Sequence, residues 1–288
     1  MPTKAEKDSV TGTETTGHEW DGIKELNTPL PKWWVYLFYA TIAYSLVYWV
    51  LYPSIPGITG YIGGVLGTNN RIALDDKLAA AEQRQAAYLD RIAGQRTDEI
   101  ARDPQLLSFA LAGGRSVFAD NCSPCHGLGG AGQRGYPSLA DDAWLWGGTL
   151  DDIETTILYG IRSGHDETRY SEMPSFGADG LLSEEEIAAV ADFVLSLSGR
   201  AEGAAAQGAQ VFADNCAACH GEAGEGDPAQ GAPRLDDQIW LYGGERADVI
   251  AQVRKPQHGV MPAWSGRLDP VAIKMLTVYI YSLGGGQP

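Results

Sequence analysis

Residues 117–126 read Val-Phe-Ala-Asp-Asn-Cys-Ser-Pro-Cys-His, and residues 211–220 read Val-Phe-Ala-Asp-Asn-Cys-Ala-Ala-Cys-His. The chain has four cysteines, Cys122, Cys125, Cys216 and Cys219, and all of them fall in these two stretches. Each pair has C-x-x-C spacing and is followed at once by histidine, the signature of c-type haem attachment. Two thioether bonds need two thiols separated by the distance between the vinyl groups of one porphyrin. Residues i and i+3 of a helical turn share a face and meet that need. His126 and His220, next in sequence, are then the proximal iron ligands. A thioredoxin-like site requires a βαβ setting, which is missing. A structural zinc places its two C-x-x-C pairs about 15–20 residues apart, whereas about 90 residues separate these. Simple disulfides leave the two histidines unexplained.

Working outward, the recurrence continues. Trp144-Leu145-Trp146-Gly147-Gly148 returns as Trp240-Leu241-Tyr242-Gly243-Gly244, Met173-Pro174 as Met261-Pro262, and Phe193-Val194-Leu195-Ser196-Leu197 as Tyr279-Ile280-Tyr281-Ser282-Leu283. Matching blocks in one order mean two copies of a domain, at residues 106–199 and 200–288, too long for solenoid repeats. In each copy a helix leads into C-x-x-C-H, a Gly-rich loop follows, and an apolar helix closes the copy over 183–197 or 270–283. Glu184, Glu185 and Glu186 suit the first turn of the former. Alternation of period two is scarce, so few strands are expected.

Methionine is the common sixth ligand of cytochromes c. Met173 and Met261 hold matching positions, and the proline after each forces the methionine into an extended loop. Met275 lies in the closing apolar helix and reads as core. His165 and His258 are alternative sixth ligands without repeat partners; surface or propionate-side roles are preferred for them. Which methionine serves which haem stays open: pairing within each copy is the simple assumption, and packed copies can also exchange loops. Trp144 and Trp240 either wall the haem pockets, with an indole N–H for a propionate, or pack as ordinary core.

Residues 33–52 contain no charge and have aromatic residues crowded at both ends. Twenty residues of helix span about 30 Å, the thickness of a bilayer core. Lys24 and Lys32 precede this stretch and no cation follows until Arg71, which by the positive-inside rule leaves the N-terminus cytoplasmic and the haem domains periplasmic. Residues 1–32 are a polar cytoplasmic tail with no signal-peptide pattern, and Pro53 and Pro56 stop the span. Residues 53–105 form a linker and helical connector. Within it, 57–70 is a Gly-rich stretch that is either interfacial or a plain linker, and 71–101 is a helix ended by Asp103-Pro104. The fold class expected is mainly α: one N-terminal transmembrane helix followed by two tandem class I cytochrome c domains.

The net charge of −16 argues against nucleic-acid binding and favours cationic partners. Residues 106–199 hold 4 Lys+Arg against 14 Asp+Glu, and residues 201–288 hold 6 against 10. The acidic first copy either attracts a basic soluble cytochrome or is simply a solvated surface.

The segment Gly17-His18-Glu19-Trp20-Asp21-Gly22-Ile23-Lys24-Glu25-Leu26-Asn27-Thr28-Pro29-Leu30-Pro31-Lys32-Trp33-Trp34 resembles the opening of the dihaem subunit, subunit III, of cbb3-type cytochrome c oxidases. One span, two C-x-x-C-H domains and a terminal S-L-G-G-G continue the likeness over almost the whole chain. The resemblance implies two covalently bound haems c in a bacterial inner-membrane respiratory complex. It also implies a monohaem cytochrome c subunit and a haem–copper catalytic subunit as partners, a soluble or membrane-bound cytochrome c as donor, and no oxygen-reducing site in this chain. The rival readings are an independent membrane-anchored dihaem carrier and a dihaem peroxidase. The second needs a displaceable ligand, against which the two Met-Pro loops argue.

Overall fold

A computed structural model describes residues 4–52, 56, 58, 60, 63–67, 69–200 and 206–287. The chain divides into an N-terminal part, residues 1–84, and a C-terminal part, residues 85–288. In the N-terminal part, β1 (Thr15–Trp20) and β2 (Ile23–Leu26) pair antiparallel, with Trp20 opposite Ile23. Asp21 and Gly22 join them with φ of 50° and 82°, the double positive φ that a tight two-residue hairpin demands. The polar tail thus contains a hairpin that scarce alternation did not announce. After it, α1 (Lys32–Leu51) is apolar on every side and buries none of its residues. A helix hydrophobic all round is normally buried, so this surface fits a membrane anchor about 30 Å long. Pro53, read as a helix stop, lies outside the described residues, as do positions 57, 59, 61, 62 and 68 of the Gly-rich stretch.

Two helices, α2 (Asn70–Gly94) and α3 (Thr97–Arg102), stand where one helix is expected over 71–101. The break at Gln95-Arg96 is stabilised from outside. Lys274 Nζ donates to the carbonyls of Ile92, Ala93 and Gln95 at 3.3, 2.9 and 2.7 Å, supplying the acceptor-rich end of α2 with a cation. Asp103 closes α3 and caps α4 (Pro104–Asn121) by accepting from the N–H groups of Gln105 and Leu106, with Pro104 at the tolerated first position. The single turn α5 (Ser123–His126) follows, and α6 (Leu150–Tyr159) is capped by Thr149. A reciprocal Ser183–Glu186 capping box starts α7 (Glu184–Leu197). The second copy contributes α8 (Ala206–Asn215), the turn α9 (Ala217–His220), α10 (Arg246–Arg254), and α11 (Pro270–Tyr281) with Asp269 as its cap.

Packing crosses the boundary between the two sequence copies at 199/200. Helix α4 of the first copy packs on α11 of the second, and α8 of the second packs on α7 of the first. The copies are therefore not two separate bodies. One lobe is continuous in sequence: α7 to α10, with Phe176, Ile187, Val190, Val194, Phe212 and Val253 in its core. The other lobe is split: the end of α2 from Gln85 and α3 to α6 are completed by α11 after the continuous lobe has been inserted, and Phe118, Ile153 and Ile157 share a core with Ile273, Leu276 and Ile280. Only eight residues separate α7 from α8. So short a connection favours packing between its own flanking helices over a return of α7 to α4. Gly114 and Gly208 hold the same place in the two crossings. A Cβ on Gly114 would overlap the carbonyl oxygen of Met275, and one on Gly208 that of Ala189. The fully buried Leu276 and nearly buried Phe118 are each worth roughly 2–3 kcal/mol of apolar burial.

Candidate haem-binding sites

Each attachment motif is delivered by a helix end. Cys122 closes α4, its N–H donating to the Phe118 carbonyl at 2.9 Å, and one further turn brings Cys125 and His126 back toward the Cys122 carbonyl at 3.1 and 2.9 Å. In the second copy Cys216 donates to Phe212 at 2.8 Å, and Cys219 and His220 return to Cys216 at 3.1 and 3.0 Å. The cysteines are free; Cys122 and Cys216 are buried, Cys125 and Cys219 exposed. Burial, with the neighbouring thiol adding to it, pushes Cys122 and Cys216 up to about 11, so both remain thiols at neutral pH.

The histidines are oriented alike. His126 Nδ1 lies 2.9 Å from the Pro137 carbonyl and His220 Nδ1 lies 2.9 Å from the Pro233 carbonyl. A carbonyl only accepts, so Nδ1 carries the proton and the Nε2 lone pair is left for a metal. Burial pulls both imidazoles below the ordinary histidine range, against the smaller opposing effect of these bonds. They are thus held neutral, as iron ligation requires. Pro137 and Pro233 escaped the sequence reading, although a recurring Pro-x-Leu in the two Gly-rich loops marks them.

Two cavities meet these motifs. The first, about 700 Å³, is lined by Cys122, His126, Trp144, Ile157, Met261 and Trp264. The second, about 1380 Å³, is lined by Cys216, Cys219, His220, Trp240 and Met173, with Arg162 and His258 among its other walls. The exchange of helices therefore carries the methionines with it: Met261 joins His126, and Met173 joins His220. The Met261 backbone pairs with Ile161, N–H to carbonyl at 3.0 Å in both directions, and Trp264 donates to the Ile157 carbonyl at 3.0 Å. The loop after Met173 is tied correspondingly to the end of α10, where Gly177 and Ala178 donate to the Arg254 carbonyl at 3.2 and 3.0 Å. Leu145 lines both cavities, so the two sites are neighbours.

The remaining candidates separate clearly. Met275 is buried against α4 in the split lobe, as core. The His165 ring packs tilted against Tyr159, centroids 4.8 Å apart, and lines neither cavity. His258 does reach the second cavity. Cys122 and the Cys216/Cys219 pair line different cavities, and among the described residues no three His, Cys, Asp or Glu side chains converge as a metal site. The tryptophans diverge as well. The Trp144 indole N–H is spent on the Gly285 carbonyl, while the Trp240 Nε1 is buried without a hydrogen-bond partner among the described residues. A buried N–H with nothing to donate to is costly, and an anionic propionate in the adjoining cavity would supply an acceptor. Neutral histidines, paired thiols, apolar walls and this orphaned donor all fit a haem c.

Residues 12–59 match the family described as N-terminal domain of cytochrome oxidase-cbb3, FixP. Residues 109–194 and 203–280 match the family described as cytochrome c oxidase, cbb3-type, subunit III. The chain is 51% identical over 290 residues to the cbb3-type cytochrome c oxidase subunit FixP of Bradyrhizobium sp. (strain ORS 278), covering all of both chains. It is 52% identical to the subunit CcoP of Azospirillum sp. (strain B510) over 98% of each, and 47% identical to that of Cereibacter sphaeroides over the whole of both. With its apolar N-terminal helix and its duplicated cytochrome c domains, the chain belongs to the subunit III family of cbb3-type cytochrome c oxidases, the electron-transfer subunits of that oxidase.

Proposed function

We propose that the chain carries two haems c, bound through Cys122/Cys125 and Cys216/Cys219, with His126–Met261 and His220–Met173 as the axial pairs. A bound haem takes up and releases one electron at its iron. The protein's own residues do the rest. The thiols anchor the macrocycles, the Pro137 and Pro233 carbonyls hold each imidazole with Nε2 free, and the Met-Pro loops present thioether sulfurs that favour the reduced iron. The apolar first cavity disfavours the charge of an oxidised iron, and the Trp240 N–H offers a propionate a donor. Leu145 lines both cavities, so haems held in them would be neighbours between which electrons could pass within the chain.

Electrons enter from a reduced cytochrome c, drawn by the acidic surface. They leave toward a monohaem cytochrome subunit and the haem–copper subunit where oxygen is reduced; this chain holds no oxygen-reducing site. Helix α1 crosses the bacterial inner membrane once, with the hairpin tail cytoplasmic and the haem lobes periplasmic.

The observation that carries this reading is the convergence of one C-x-x-C-H motif and one Met-Pro loop on each cavity. Intact-mass measurement of the mature chain tests attachment: the mass of two haems above the polypeptide is expected, and a bare mass defeats it. The ligand pairs are tested in a chain with Cys122→Ser and Cys125→Ser, which keeps only the second haem. Met173→Ala should abolish the charge-transfer band of its methionine-ligated ferric iron and Met261→Ala should leave it. The opposite result establishes pairing within each copy.

A further inference from the structure

The chain crosses between the lobes twice, and both crossings pass one side chain. Outbound, residues 160–172 lead from α6 of the split lobe to Met173 of the continuous lobe. On return, residues 255–261 lead from α10 to Met261 of the split lobe. Ile161 is the middle of a small ribbon, bridged to Met261 on one side and to Arg169 on the other. The next residue, Arg162, has φ of 49°, a conformation that non-glycine residues rarely adopt. Its half-buried guanidinium lies between the crossings: Nε donates to the Gly259 carbonyl at 2.8 Å and Nη1 to the Ser171 carbonyl at 2.7 Å. Gly259 stands two residues before Met261, and Ser171 two residues before Met173. Arg162 also lines the second cavity, as Met173 does.

We infer that Arg162 is a positioning residue that holds both methionine-bearing segments at once, so that one guanidinium sets the sixth ligand at both irons. The chemistry suits arginine alone. A planar fork with several fixed donors satisfies two carbonyls from different segments simultaneously, whereas a lysine ammonium is a single point charge on a flexible stem. The Ile161 ribbon sets the backbones of the two crossings side by side at Arg169 and Met261, and the Arg162 fork extends that alignment to Ser171 and Gly259, each two residues from a methionine. The clamp is a single feature without a repeat counterpart, which makes the two ligand sets interdependent rather than duplicated.

The inference rests on the exchanged ligand pairs proposed above, and the test separates the two. In the haem-loaded full-length chain, the methionine charge-transfer band and a redox titration resolved for each haem are measured in Met173→Ala, Met261→Ala, Arg162→Gln and Arg162→Lys. Each methionine variant should remove one haem's share of the band. Arg162→Gln should lower the shares of both haems and shift both potentials downward. Arg162→Lys, which keeps the charge and loses the fork, should also lower both shares, by less. A full band in Arg162→Gln, or loss confined to one haem, overturns the inference. If Arg162→Gln yields no haem-loaded chain, Arg162→Lys decides: reduction at both haems supports the clamp, and a full band at both overturns it. If neither methionine variant alters the band, the ligand reading itself fails; if both do and the Arg162 variants do not, the clamp alone fails.

Discussion

The two lobes are built from nearly the same sequence blocks yet differ in how the chain closes them. The continuous lobe draws α7 to α10 from consecutive residues, and its Met173 precedes its attachment motif. The split lobe begins at the end of α2, pauses at α6 while the whole continuous lobe is inserted, and is completed by Met261, Trp264 and α11. Contacts near in sequence cost little loop-closure entropy, while those spanning an inserted lobe cost more and form later. The same elements therefore give one lobe that stands by itself and one whose closure waits for the end of the chain. A second difference follows. The chain that leaves α11 turns back, so that Gly285 accepts from Trp144 and Gln287 donates to the Gly148 carbonyl at 2.8 Å. The chain that leaves α7 instead continues to α8, and Arg200 stacks over Trp240 at 5.9 Å without satisfying its indole N–H.

Ending the chain after His258 is the strongest way to break this comparison. It removes Met261, Trp264 and α11 and leaves every helix of the continuous lobe. One haem, that of His220, should keep its methionine band while the His126 haem loses it. Were each copy a self-contained lobe, the His220 haem would be the one to lose it. Next in size, Gly114→Ala and Gly208→Ala each overpack one helix crossing, at about 1–3 kcal/mol. Hydrogen-exchange mass spectrometry should show faster exchange in α4 and α11 for the first and in α7 and α8 for the second, with little spread to the other lobe.

Smaller effects sharpen the same contrast. Trp144→Phe removes a made hydrogen bond and should destabilise the split lobe by about 1 kcal/mol with its haem potential little changed. Trp240→Phe removes a donor that no described protein group accepts from, so it should leave the stability of the fold nearly as it was and move the potential of the His220 haem. The pH responses should have opposite signs. Burial raises Glu154, which accepts from Thr97 at 3.3 Å in the split lobe. Its contribution is complete below the ordinary carboxylate range and is lost as pH rises through the raised value, so Glu154→Gln should gain on the parent chain as pH rises out of that range. Asp192 of the continuous lobe is lowered, first by its hydrogen bond from Arg246, at 2.5 and 2.9 Å. That contribution is present above the ordinary carboxylate range and lost as pH falls. Asp192→Asn should therefore cost stability at neutral pH and converge with the parent in acid. Exchange rates in each lobe, measured across this range, check both.

Much of the architecture was legible because its causes are local. Glu184, Glu185 and Glu186 at the head of 183–197, the apolar run over 270–283 and the uncharged run over 33–52 announce helices through dipole electrostatics and solvation that act within one or two turns. The hairpin at 15–26 was not legible, since it depends on the turn at Asp21-Gly22 more than on alternating polarity. The break at Gln95-Arg96 was not either, because the cation that stabilises it, Lys274, arrives from a helix far along the chain.

The sequence by itself determined the chemistry. Thiols at i and i+3 with a histidine beside them carry the haem-attachment signature within five residues, and the duplication offers two such motifs and two candidate methionines. Tertiary structure alone decided which methionine meets which histidine. Met173-Pro174 and Met261-Pro262 are chemically alike, and each lies tens of residues from either motif. The choice between them is made by which helices pack, and the short connection between α7 and α8 makes that choice through chain entropy, not through anything written in the ligands themselves.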